Sequence, residues 1–93
     1  MKGYGRFDAR ETMRIKIFFF ATLIDYVGAK TVELEVPAGT TVAALKELLV
    51  SRYPRMASAQ KSIMAAVNRE YAAGEQIIPL DAEIAFFPPV SGG

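Results

Sequence analysis

The opening of the ordered pattern, "MRIKIFFFA", alternates apolar and polar positions. An extended chain points successive side chains to opposite faces, so Ile15, Ile17 and Phe19 share one face and Lys16, Phe18 and Phe20 the other. Its β-branched and aromatic residues predict a strand over Ile15–Ala21. Leu23–Gly28 reads as a short turn, with Gly28 reversing the chain. Thr31–Val36 alternates again, with Val32, Leu34 and Val36 inward and Thr31, Glu33 and Glu35 outward. That is a half-buried second strand, paired with the first as a hairpin and ended by Pro37-Ala38-Gly39.

The period then changes. Val42, Leu45, Leu48, Leu49 and Tyr53 recur at three- and four-residue spacing, the stripe of an amphipathic helix. Thr40 or Thr41 supplies the N-cap, and Pro54 stops the helix. The connector "RMASAQKS" has no assignable pattern. Ile63–Val67 reads as a third strand and Asn68–Tyr71 as a turn. Ile77–Leu80 follows the break at Gly74 as a short strand or extended piece, and Ile84–Phe87 is the last strand.

This β-β-α-β-(β)-β order has no internal repeat. One apolar helical stripe needs one sheet face to cover, which predicts an α+β fold: a mixed β-grasp, or ubiquitin-like, sheet wrapped over one main helix. Residues 1–12, "MKGYGRFDARET", show no periodicity and read as a leader, either a genuine extension or a cloning remnant. The domain spans 13–93, with an extended tail from about residue 88.

If Ile15, Ile17, Phe19, Ile84 and Phe86 face the helix, then Phe18, Phe20 and Phe87 face away from it. Loops, the leader or a bulge would hide any one of these rings. Three together read as an apolar docking surface, with Tyr71 at its edge.

Composition narrows the chemistry. A hydrophobic fraction of 52% and a charged fraction of 23% over 93 residues describe one globular domain. The chain has no Cys and no His, which removes thiol nucleophiles, disulfides, Cys-ligated zinc and the usual general base. Its three Asp and seven Glu form no calcium-loop pattern. Metal binding and a self-contained active site are therefore not expected. The net charge is +1, and from Met13 onward eight basic residues balance eight acidic ones. Without a basic stripe, nucleic-acid binding is not expected. No apolar run is of membrane-spanning length and no signal peptide is apparent, so the expected location is cytoplasmic.

What remains is the end of the chain, "AFFPPVSGG". Pro88 and Pro89 fix two φ angles and resist helix, which directs the tail outward. Four extended residues, Val90, Ser91, Gly92 and Gly93, reach roughly 13 Å at about 3.3 Å each. Gly92-Gly93 lacks side chains and fits a channel too narrow for other residues. Ser-Gly-Gly alone is also linker composition. In this setting the Gly93 α-carboxylate is the distinctive handle, a poor electrophile until it is joined to a good leaving group.

"IKIFFFA", Gly28, "VAALKELL", "AAVNREY" and above all "AFFPPVSGG", in that order from Met13 to Gly93, resemble the small subunits of molybdopterin synthase. The resemblance implies a β-grasp sulfur carrier for molybdenum cofactor synthesis that holds no cofactor of its own. A ubiquitin-activating-like adenylyltransferase would use ATP to adenylate Gly93, and a sulfurtransferase would convert it to a thiocarboxylate. The tail, Val90 to Gly93, would enter the active site of the large subunit and give its sulfur to cyclic pyranopterin monophosphate. Two small subunits typically flank a large-subunit dimer, a heterotetramer. Phe20, Phe87 and Tyr71 match positions that pack on the large subunit. Two departures stand out: Ile24-Asp25 replaces the frequent Arg-Glu, and Leu80-Asp81-Ala82-Glu83 replaces Asp-Gly-Asp-Glu, which implies a different turn. Alternative readings are a sulfur carrier for thiamine thiazole synthesis, a ubiquitin-like protein modifier, and an interaction domain with an inert tail.

Overall fold

In the computed structural model, residues 11–89 are described; the leader up to residue 10 and the tail residues Val90 to Gly93 lie outside them. Alternating residues form strand β1, Thr12–Phe19, and strand β2, Thr31–Pro37, paired antiparallel with Ile15 opposite Leu34 and Ile17 opposite Val32. The ladder begins at Thr12, the last residue of the expected leader, and Ala38 N–H donates to the Glu11 carbonyl at 3.1 Å. Helix α2, Val42–Arg52, starts where Thr41 accepts a hydrogen bond from Ala44 N–H at 3.1 Å, a side-chain N-cap. Strands β3, Met64–Val67, β4, Glu70–Tyr71, and β5, Glu83–Phe87, complete a five-stranded sheet in the order β2-β1-β5-β3-β4. β5 lies in the middle, parallel to β1 and antiparallel to β3. The expected β-grasp architecture is present.

One face of the sheet supplies the core. Ile15, Ile17, Phe19, Ala65, Val67, Ile84 and Phe86 close over Val42, Leu45 and Leu49 of α2. Phe19 and Phe86, on the adjacent parallel strands, stack with ring centroids 6.3 Å apart and planes inclined by 26°. The Lys46 ammonium donates to the Ile63 carbonyl at 2.9 Å and ties α2 to the chain entering β3. No buried side-chain polar atom among the described residues lacks a partner.

Three local expectations are corrected and one unassigned segment gains a structure. Leu23–Gly28 is not a simple turn: Thr22–Val27 forms a one-and-a-half-turn helix, α1, docked through the fully buried Leu23. It is too short to show a helical period, and Gly28 ends it at φ 87°, where its N–H donates to the Ile24 carbonyl at 2.7 Å. The unassigned connector contains a 3-10 segment over Pro54–Ala59, held by the buried Met56. Within Asn68–Tyr71 only Asn68 and Arg69 turn, with φ of 50° and 75°, while Glu70 and Tyr71 pair with β3 as β4. Two positive φ angles in a two-residue hairpin loop define a type I′ turn, whose twist matches the flanking strands. Leu48 faces outward at 38% exposure, because it lies about 100° around the helix from the stripe centred on Val42, Leu45 and Leu49.

Ile77 makes one isolated bridge to Thr41, and Ile78 N–H donates to the Thr40 carbonyl at 3.0 Å, so this piece is extended rather than a sheet strand. Asp81, at the departure before the last strand, takes φ 58°, a left-handed conformation that Asp tolerates better than most residues.

Candidate functional site

The outward face of the sheet divides along its strands. Toward the start of β5, Glu33 of β2, Lys16 of β1 and Glu83 of β5 stand in one cross-strand row, with Arg14 beside Glu35 in the next. Arg14 and Glu33 approach to 3.5 Å, an exposed pair of small energetic weight. Toward the end of β5 the rows become apolar. Phe18 is level with Ala85, Ala85 with Ala66, and Ala66 with Tyr71, while Phe87 stands opposite Met64.

This band gathers all four ring residues expected to form a docking surface. Phe18 and Phe87 are half-buried, Phe20 is 50% exposed and Tyr71 is 74% exposed. Tyr71 and Phe87 pack with centroids 5.9 Å apart and planes inclined by 53°. Met64, 40% exposed, extends the patch. It was missing from the sequence-based set, although alternation within "IMAAV" puts Met64 and Ala66 opposite the inward Ile63, Ala65 and Val67.

Phe20 owes its place to a turn rather than to the ladder. Its N–H donates to the Phe86 carbonyl at 3.2 Å and its carbonyl accepts from Leu23 N–H at 3.1 Å. Between these bonds Ala21 has φ 57° and ψ −133°, the first central position of a type II′ turn, where glycine is favoured. An exposed aromatic ring is thus carried on a backbone fixed on both sides. Such preorganisation lowers the entropy lost on binding.

β5 leads from the middle of the sheet to Phe87, and Pro88 and Pro89 continue without strand pairing. The segment that bears the tail therefore leaves from the apolar end of the outward face, beside Phe20 and Met64. Val90, Ser91 and Gly92, expected to insert into a partner, and Gly93, expected to be the reactive residue, lie outside the described residues. Among the described residues no group of three or more His, Cys, Asp or Glu is arranged to hold a metal, and no helix is long and apolar enough to cross a membrane.

A mixed five-stranded sheet over one main helix, with its last strand in the middle, defines the class: a ubiquitin-like β-grasp domain. The chain belongs to the ThiS family, whose model matches residues 17–93. It is similar to the molybdopterin synthase sulfur carrier subunit of Escherichia coli K12, at 35% identity over 81 residues, covering 85% of this chain and 99% of that protein. The fold is also close to the crystal structure of small archaeal modifier protein 1 of Haloferax volcanii. The two share a TM-score of 0.75 and 28% identity, over 84% of this chain and all but 1% of the other, which is covered to 99%. The complex of subunits 1 and 2 of the molybdopterin-converting factor from Helicobacter pylori shares the fold at a TM-score of 0.62 and 15% identity, with 87% of this chain and 100% of that chain covered.

Proposed function

We infer that this protein is the sulfur-carrying subunit of a molybdopterin synthase and that Gly93 bears the sulfur. The observation that supports the reading is that the central strand β5 ends with Phe87 at the apolar end of the outward face, and Pro88 and Pro89 follow it directly before Val90 to Gly93 in the sequence. A carrier requires grip and delivery close together. The similarity to sulfur carrier subunits supports it.

The chemistry needs no side chain of the carrier. The Gly93 carboxylate attacks the α-phosphate of ATP on an adenylyltransferase, and pyrophosphate leaves. Hydrosulfide released by a sulfurtransferase then adds to the acyl carbon and expels AMP and a proton, leaving a thiocarboxylate. Phe18, Phe20, Phe87 and Tyr71 hold the large subunit while Val90 to Gly93 enter its active site. There the thiocarboxylate sulfur attacks a carbon of cyclic pyranopterin monophosphate, and water then cleaves the acyl–sulfur bond, leaving the sulfur on the pterin to begin the dithiolene and Gly93 as a carboxylate again.

Intact-mass analysis after incubation with an activating enzyme, ATP and a sulfur donor tests this. The expected product is heavier by the exchange of one oxygen for sulfur, and its tandem mass spectrum places the change on Gly93. An unchanged mass, under conditions that charge the E. coli relative, refutes the reading. A second reading, attachment of Gly93 to lysines of other proteins, is favoured by the likeness to the archaeal modifier. It predicts tryptic peptides whose lysine carries residues 70–93 of this chain through an isopeptide bond, which a pure sulfur carrier does not leave.

A further inference from the structure

The apolar band accounts for grip but not for choice of partner. A cavity of about 230 Å³ opens on the outward face, lined by Phe18, Phe20, Ile84 and Ala85, with Arg69 and Glu83 as its charged members. Arg69 is the second residue of the type I′ turn and has φ 75°, a conformation that glycine takes freely and an arginine takes at a cost. The turn is stapled to the central strand: Asn68 N–H donates to the Glu83 carbonyl at 2.8 Å, and Glu83 N–H donates to Asn68 Oδ1 at 3.0 Å. A guanidinium is thus mounted on a fixed backbone beside two phenylalanines.

One further cation stands near the cavity. Lys16, opposite Glu83 in the β1–β5 register, holds its ammonium 5.6 Å from the centroid of the Phe18 ring. Among the described residues the one ion pair is Arg14–Glu33, so neither Lys16 nor Arg69 is paired with Glu83 at bonding distance. Lys16 is flanked in its row by Glu33 and Glu83, so Arg69 is the cation of the cavity lining itself.

We propose that this cavity is the specificity-determining end of the docking face. It takes an apolar side chain of the large subunit, and Arg69 pairs with a carboxylate beside that side chain. This deepens the large-subunit reading above and rests on it. The phenylalanines and Ala85 receive the apolar group, and the planar guanidinium receives the carboxylate through two parallel hydrogen bonds. Glu83 opposes an acidic group placed elsewhere on the rim, which fixes the register of docking.

The test measures the affinity of the full chain for the large subunit at low and moderate salt, for wild type, Arg69→Gly, Arg69→Gln and Phe20→Ala. Arg69→Gly is expected to weaken binding about tenfold and flatten its salt dependence. At the same time it should raise the unfolding midpoint by a few degrees, because Asn-Gly is the preferred type I′ pair. Arg69→Gln should weaken binding similarly without that thermal gain. Should the Gly variant lose stability, the Gln variant alone decides. Wild-type affinity in Arg69→Gln, together with weakened binding by Phe20→Ala, overturns the proposal and leaves the docking face standing. Unchanged binding in all variants, or no binding by wild type, overturns the docking reading and this inference with it.

Discussion

Phe86 and Phe87 are neighbours of identical chemistry on one strand, and their truncation should act chiefly on stability in the first case and on binding in the second. Phe86 is fully buried and stacked on Phe19. Converting a core phenylalanine to alanine costs about 3–5 kcal/mol, a large share of the roughly 5–15 kcal/mol by which small domains are stable. At about 4–8 °C per kcal/mol for a domain of this size, Phe86→Ala should lower the unfolding midpoint by at least about 12 °C. Phe87 is half-buried and rests against Tyr71. Half of a full burial term of about 1.5–3 kcal/mol, with an aromatic pair of about 0.5–1.5 kcal/mol, gives a loss near 2 kcal/mol at most sites of this kind. Phe87→Ala should therefore fold, yet lose affinity for the large subunit by tenfold or more, as anchors at interface centres do. The chain has no Trp, so urea unfolding is followed by far-UV circular dichroism, and binding by titration calorimetry. Equal destabilisation by the two variants would refute the assignment of faces along β5. Full affinity in Phe87→Ala would refute its place in the docking surface.

Three further outcomes are expected. Deleting Gly93 should abolish sulfur loading in the mass assay and leave the unfolding midpoint within experimental error of wild type. Gly28→Ala meets open space, since nothing lies within 4 Å of the added methyl, but φ 87° strains any L side chain; a loss of about 1 kcal/mol in urea unfolding is expected. Thr41→Ala removes the cap that accepts Ala44 N–H and should cost about 1 kcal/mol, while Thr41→Ser should restore most of it, read by thermal unfolding.

Under the proposed function, a docking surface and a reactive end divide the labour of this protein: the sheet presents an apolar face, and the tail carries the one group whose chemistry changes. In such a design affinity and reactivity are altered by substitutions at separate places: at Phe20, Phe87 and Arg69 for the first, and at Gly92 and Gly93 for the second.

Periodicity alone was sufficient for the paired strands β1 and β2, the main helix, and the inward and outward sets of β1 and β5. A strand with one buried face must alternate, and a helix on that face must carry a stripe. The composition of the tail is likewise a matter of residue type, and the reactivity proposed for Gly93 rests on it rather than on the fold. The tertiary structure decided what depends on partners distant in sequence. Thr22–Val27 becomes helical because Leu23 is buried, a contact that six residues cannot announce. Leu48 turns outward because neighbouring elements choose which arc of the helix to cover. Phe20 joins the outer face because a strained turn at Ala21 and the Phe86 carbonyl hold it there. The meeting of Arg69 with Phe18 and Phe20 arises only when β5 enters between β1 and β3, since strand order is set by packing between segments and leaves no local trace in sequence.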